Sequence, residues 1–400
     1  MKIKKILAVV LSLCMIFALA ACSSSTEDEE ASTEEAGSST SSEGTIKIGG
    51  IGPLTGDVAQ YGVAVKLGAE LAVAEINAAG GINGYQIEFK MEDDVGDAEK
   101  AVTAYGSLKD WGMQMVMGTV TSTPCISVAS EAAADNMLLL TPSGSAVECL
   151  EAGDTLFRMC FSDPNQGIGA ADFIADNDLA TTVAIIYNSS DTYSTGIMEK
   201  FTEEAAEVGL EIVATEAFTN DSATDFSAQL TNIKETGADL LFLPIYYTPA
   251  SLIISQATAM GYEPTYFGSD GMDGILGMEN IDVDLIDGVM YLTPFIESST
   301  DDATVNFVES FTAAYPDQTA YMNQFAADAY DAIYALKAAA ESCSITPDMD
   351  ASTVGDLMKV AMTEITIDGV TGTGITWGED GEPNKTPRVA KIENGEIVAA

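Results

Sequence analysis

From Ile46 onward, short β-rich runs alternate with stretches of helical period. Residues 46–51 read as a strand. Residues 61–79 read as a helix, with Ala64, Leu67, Gly68, Leu71 and Glu75 on one stripe at i, i+3, i+4, i+7 and i+11. The glutamate marks where that stripe leaves the core, and Gly80-Gly81 stops the helix. Strand 86–91, helix 97–111, strand 115–118, helix 124–136 and strand 137–141 complete a first series. A second begins after Phe157-Arg158: helix 166–177, strand 182–187, helix 195–208, strand 211–217, helix 225–236, strand 240–243, helix 250–260 and strand 265–268. Strands alternating with helices of this length are βαβ units, which build parallel sheets. Two series of similar size predict two similarly built α/β lobes. Helices 304–315, 323–341 and 353–362, with short strands near 375–377 and 388–397, are shared between them. A cleft between two such lobes is where a small ligand sits.

The N-terminus follows another pattern. Met1-Lys2-Ile3-Lys4-Lys5 is basic, and residues 6–21 are almost wholly apolar. A basic start before a short apolar run is a secretory signal peptide, and the run falls short of the roughly 18–20 residues of a spanning helix. Residues 23–44 hold Ser, Thr, Glu, Asp, Ala and Gly with no large apolar side chain. They cannot bury enough surface to offset ordering, which predicts a disordered leash.

Charge and composition narrow the function classes. The chain carries 62 acidic against 16 basic residues, a net charge of −46. Such a surface repels nucleic acid and anionic headgroups. There is no histidine, which removes the commonest general base and the commonest zinc ligand. Cys125, Cys149, Cys160 and Cys343 form no CxxC pair. An exported chain permits disulfides, but sequence cannot pair these four. Gly50-Ile51-Gly52 fails as a dinucleotide fingerprint, because Thr55 stands at its third glycine. There is no P-loop and no GxSxG elbow. The stretch from Gly268 to Gly274 superficially matches a calcium loop, but Met272 and Gly274 fall on ligand positions. Asp97, beside Asp93 and Asp94, reads as a helix cap. Neither an enzyme nor a metal or cofactor site is expected.

Two resemblances carry the reading further. Leu19-Ala20-Ala21-Cys22 resembles the lipobox of bacterial lipoproteins, which implies that Cys22 becomes the N-terminus and carries a diacylglycerol. Gly49-Gly50-Ile51-Gly52-Pro53-Leu54-Thr55-Gly56, Gln60-Tyr61-Gly62 and Glu75-Ile76-Asn77-Ala78-Ala79-Gly80-Gly81-Ile82-Asn83-Gly84 resemble a second family. So do Asp93-Asp94, Thr141-Pro142-Ser143, Phe157-Arg158 with Gln166-Gly167, Asp225-Phe226-Ser227 and Gly268-Ser269-Asp270-Gly271. These look like the type I periplasmic binding proteins of ABC importers, of the leucine/isoleucine/valine-binding kind. The resemblance runs from Thr45 onward and is weakest between Ser298 and Ile375.

It implies two Rossmann-like lobes with parallel sheets, joined by three crossings near Ser162, Leu292 and Pro387. The parts are then a signal peptide 1–21, a leash 22–44, an N-lobe 45–162 plus 293–387 and a C-lobe 163–292 plus 388–400. The implied molecule is a monomeric, lipid-anchored, extracytoplasmic receptor. It takes an amino acid, branched-chain or related, and delivers it to an ABC permease in the cytoplasmic membrane. The resemblance places the ligand's carboxylate at Ser122, in keeping with the anion affinity of a helix N-terminus. It places a carbonyl and hydroxyls at Ser143 and Ser145, the partner of the ammonium at Asp270, and covering tyrosines at Tyr61, Tyr193 and Tyr246.

Blander readings stand beside these. Tyr61 also reads as a surface residue at a helix start, Ser122 and Ser145 as caps, and Asp270 as a turn residue. Tyr247 rivals Tyr246, and Arg158 reads as structural. A member of the family has glutamate where Asp270 stands, alanine and threonine at Ser143 and Ser145, and an N-lobe disulfide that Thr121 and Val95 or Gly96 cannot make. The shorter acid and serine-rich loop keep open an amide or short-chain acid as ligand. A sensory subunit reporting to a membrane receptor also suits the leash and anchor.

Overall fold

β1 (Thr45–Gly52) begins where the leash composition ends, and Ile46 and Ile48 on its one face are fully buried. The computed structural model describes residues 44–279 and 281–400, so the signal peptide and Cys22 lie outside the described residues. After β1 come α1 (Ala59–Ala78), β2 (Gln86–Asp93), α2 (Ala98–Trp111), β3 (Met115–Gly118), α3 (Ser122–Ala134), β4 (Leu139–Thr141) and β5 (Leu156–Arg158). The five strands form a parallel sheet in the order β2-β1-β3-β4-β5. β3 is buried along its whole length, as expected of a strand covered on both faces.

A second sheet takes up α4 (Asp163–Asp176), β6 (Thr182–Asn188), α5 (Thr192–Val208), β7 (Glu211–Phe218), α6 (Ser227–Thr236), β8 (Leu240–Leu243), α7 (Tyr247–Ala259), β9 (Thr265–Gly268) and β10 (Met290–Thr293). The chain then returns to pack α8 (Asp302–Ala314), α9 (Gln324–Ser342) and α10 (Ala351–Glu364) on the first half, and comes back through β11 (Arg388–Glu393) and β12 (Glu396–Ala399). The seven-stranded order is β12-β11-β10-β9-β8-β6-β7. Strands β6 to β10 pair in parallel, while β11 and β12 join antiparallel. The fold is α/β with two mostly parallel sheets. The chain passes between them after β5, after β10 and before β11.

Several elements depart from the sequence pattern. β5 and β10, three and four residues long, are too short to show a period. The strand expected at 375–377 is reduced to isolated bridges, Ile367 to Ile375 and Trp377 to Pro383. The single strand expected at 388–397 is a hairpin, turned at Asn394-Gly395 with φ of 53° and 80°. Helices α3, α4, α5 and α7 begin two or three residues before the apolar period does, because hydroxyl, proline and tyrosine residues in their first turns carry no apolar period. That early start puts Ser122 inside α3. The α1 stripe is buried at Ala64, Leu67, Gly68 and Leu71 as expected. Glu75 does not mark an exit to solvent: it accepts the hydroxyls of Tyr330 and Tyr334 on α9, at 2.6 and 2.9 Å. Helix ends follow local chemistry, with Asp97 accepting from Lys100 N at 3.0 Å and Gly112 closing α2 at φ 89°.

Candidate ligand-binding site

In open α/β sheets, ligands gather beyond the carboxyl ends of the strands. Here those ends, from both sheets, meet at one cleft. The turn from β3 into α3 contributes Val120, Thr121 and Ser122, and the loop after β4 contributes Ser143. The opposite wall holds Tyr193 at the start of α5, Tyr246 before α7, and Asp270 and Gly271 after β9. Tyr61 of α1 and Phe325 of α9 complete the lining. Their rings fill the space: Tyr61 lies 5.6 Å from Tyr246 and 4.2 Å from Phe325, and Tyr193 stacks on Tyr246 at 4.9 Å. The cavity they enclose measures about 10 Å³, which is room for roughly one water. Admitting a larger solute requires the walls to separate.

The two walls differ in polarity. On one, α3 presents the unpaired amides of a helix N-terminus, a setting that favours an anion. Ser122 Oγ accepts from Ala146 N at 3.1 Å, and Ser143 Oγ donates to Val120 O at 2.7 Å. On the other stands the buried Asp270 carboxyl. Tyr193 donates its hydroxyl to Asp270 Oδ1 at 2.6 Å and accepts from Gly271 N at 2.8 Å. Gln166 Oε1 accepts from Asp270 N at 3.0 Å, and Gln324 Nε2 donates to Asp270 O at 2.6 Å. Burial pushes the Asp270 carboxyl up to about 7, although the Tyr193 and Gln166 hydrogen bonds pull it down.

Six of the seven residues singled out from sequence line this one cavity: Tyr61, Ser122, Ser143, Tyr193, Tyr246 and Asp270. Ser145 does not. It lies one layer back, its carbonyl accepting from Arg158 and from Asp163 N at 2.9 Å. Tyr247 also stands outside, its amide donating to Tyr61 Oη at 3.3 Å and its hydroxyl accepting from Gln60 N at 3.3 Å. Arg158 is fully buried and donates to the carbonyls of Gly144, Ser145 and Ala146, so it shapes the loop that carries Ser143. Among the described residues no three acidic or cysteine side chains are gathered to hold a metal ion. Asp273 faces α9, where its Oδ2 accepts from Gln324 N at 3.0 Å.

Residues 45–396 match the family described as periplasmic binding protein. The chain belongs to that family. Its relatives include the Leu/Ile/Val-binding protein BraC3 of Rhizobium johnstonii, 32% identical over 361 residues, covering 89% of this chain and 94% of the relative. The leucine-, isoleucine-, valine-, threonine- and alanine-binding protein of Pseudomonas aeruginosa is 31% identical over 229 residues, covering 57% of this chain and 61% of that one. Among solved structures, the branched-chain amino acid transporter substrate binding protein LivJ of Streptococcus pneumoniae, in complex with isoleucine, superposes with a TM-score of 0.78 at 28% identity. That match covers 89% of this chain and 100% of that one. As a periplasmic binding protein the chain is a solute-binding protein that works outside the cytoplasm. No described helix is long and apolar enough to cross a membrane.

Sequence reasoning missed Val120, Gly271 and Phe325 as lining and Gln324 as the strap on Asp270. Phe325 belongs to the apolar period of α9, and nothing in a period says which buried face meets a cleft. Gly271 stands inside the Gly268–Gly271 motif, but a glycine offers only backbone to a ligand and so carries no side-chain signal.

Proposed function

We propose that this protein captures an amino acid, branched-chain or a related aliphatic one, between its two halves and delivers it to an ABC permease. One observation carries this reading: the buried Asp270 carboxyl faces the N-terminus of α3 across a single small cavity. A zwitterion presents an ammonium and a carboxylate a few ångströms apart, and these walls match its two ends. Aromatic rings between them suit an aliphatic side chain. The relatives named above for binding leucine, isoleucine and valine support the same ligand class. The lobes of this reading are 45–162 plus 293–387 and 163–292 plus 388–400, with Cys22 lipidated, the molecule monomeric and the permease its membrane partner.

The test is a thermal-shift screen of the purified protein, freed of co-purified ligand by unfolding and refolding, against the common amino acids. A ligand at 100 times its dissociation constant adds about 2.7 kcal/mol of stability. Leucine, isoleucine or valine is expected to raise the melting temperature, and Asp270→Ala is expected to abolish the rise while leaving the protein folded. An unchanged response in Asp270→Ala removes Asp270 from the site. A second reading has its own support. A carboxyl held near 7 is partly neutral at neutral pH, and a neutral carboxyl donates a hydrogen bond to an amide or a short-chain acid. Shifts with such ligands and silence across the amino acids would decide for it.

A further inference from the structure

Behind the wall that carries Ser122 and Ser143, two cysteines from separate segments come together. Cys125 lies in the first turns of α3, and Cys149 ends a 3-10 turn, Val147–Cys149, that follows the Ser143 loop. Both are fully buried, and both are free thiols. Ser122 connects them. Its Oγ holds Ala146 N, and its carbonyl accepts from the Cys149 thiol at 3.7 Å. Cys125 follows Ser122 by three residues and so shares its helix face. Cys125 Sγ also lies 2.9 Å from where a Cβ on Gly144 would stand, against the loop that leads to Cys149. The two thiols influence each other: the Cys149 thiol lowers Cys125, while burial and then the Cys125 thiol raise Cys149. The other described cysteines have different surroundings. Cys160 lies beside Arg158, and Cys343 faces Met358 Sδ at 3.8 Å.

We propose that Cys125 and Cys149 are an oxidisable pair, joined as a disulfide when the chain folds outside the cytoplasm. Disulfides form and persist in exported proteins. In the folded protein no oxidant reaches either sulfur, so the bond forms while the segment from β3 to β5 is still closing. The oxidant is a small-molecule or protein disulfide. One cysteine thiolate attacks a sulfur of that disulfide, forming a mixed disulfide and releasing the first thiol. The second cysteine thiolate then attacks the mixed disulfide, forming the Cys125–Cys149 bond and releasing the second thiol. Two electrons and two protons pass from the protein to the oxidant. The bond staples the first turns of α3 to the segment that follows the Ser143 loop, so one wall of the cleft is held as a unit.

The full exported chain is reduced, unfolded and refolded in a mixture of reduced and oxidised glutathione. It is then alkylated under denaturing conditions and mapped by proteolysis and mass spectrometry. The expected result is one cross-linked species carrying Cys125 and Cys149, lighter by two hydrogens than its two thiol peptides and separated by reductant. Cys160 and Cys343 are expected to be alkylated. Recovery of Cys125 and Cys149 as alkylated thiols, or of either one linked to another cysteine, overturns the pairing. A Cys149→Ser variant carries the structural half of the proposal. It is expected to melt below the oxidised protein and together with the reduced one; melting with the oxidised protein would show that the bond restrains nothing.

Discussion

Asp270 sits where two demands meet. Burial favours its neutral form, and the ammonium of the proposed ligand would favour its charged form. The groups around it are the Tyr193 hydroxyl, the Gln166 amide and the acids Asp328 and Asp163, both themselves raised by burial. Since the carboxyl stands at about 7 without ligand, binding an amino acid below that pH expels a proton. Affinity for an amino acid is therefore expected to fall as pH drops through about 7, and calorimetry in buffers of different ionisation enthalpy should register the released proton. Asp270→Asn should flatten that dependence. The sign for stability is the opposite. A carboxyl raised in the folded state contributes stability that is fully present below its unfolded value of about 3.9. That contribution is lost as pH rises through the folded values, about 7 for Asp270 and about 6 for Asp94, Asp191 and Asp273. Melting curves of the ligand-free protein should accordingly improve on moving from mildly alkaline to mildly acidic pH. Asp270 was legible in the Gly268–Gly271 motif, whereas its protonation was not. Desolvation depends on what the other sheet brings to within a few ångströms, and no local pattern records that.

At the scale of elements, α9 and α1 both reach from the first half to the second. α9 packs against α1, where a Cβ on Gly68 would stand 2.0 Å from Ala326 O. Gly68→Ala is therefore expected to force the helices apart and cost about 1–3 kcal/mol, outweighing the gain of about 1 kcal/mol in helix propensity. Urea unfolding measures the difference. The start of α9 makes the second connection. Asn323 Oδ1 caps Phe325 N and Ala326 N, and Asp273, from the loop after β9, takes the Gln324 amide. A hydrogen bond to a charged group contributes about 1.5 kcal/mol, or roughly tenfold in an equilibrium. Asp273→Ala should weaken ligand binding by about that factor through faster dissociation, read by stopped-flow release, because the strap lies across the cleft. In the sequence, Asp273 sits in a stretch that fails as a calcium loop, and 323–341 reads as an ordinary helix. Their junction joins positions about 50 residues apart and has no local signature.

At the scale of the molecule, charge acts everywhere at once and belongs to no single contact. A net charge of −46 makes the folded chain repel itself. Raising ionic strength from about 0.01 M to about 0.15 M shortens the screening length from about 30 to about 8 Å. The melting temperature is expected to rise over that range. A flat response would mean that the acidic groups are already neutralised by bound cations. The same charge opposes a carboxylate at long range, so the proposed anion wall depends on local donors.

The alternation of strands and helices determined two α/β series, because burial on both faces of a parallel sheet leaves a near-continuous apolar run that sequence displays directly, as in Met115–Gly118 and Leu240–Leu243. The absence of histidine removed the commonest general base and zinc ligand, and the acidic balance opposes nucleic acid, both by composition alone. Tertiary structure decided the rest. It showed that Ser145 stands behind the cleft while Phe325 lines it, that Tyr246 and not Tyr247 faces the cavity, and that Arg158 shapes the loop from beneath. Each of these depends on which residues from distant segments share a few ångströms. One residue of helix phase or a single turn of loop moves a side chain from one layer to the next, and only packing selects between them.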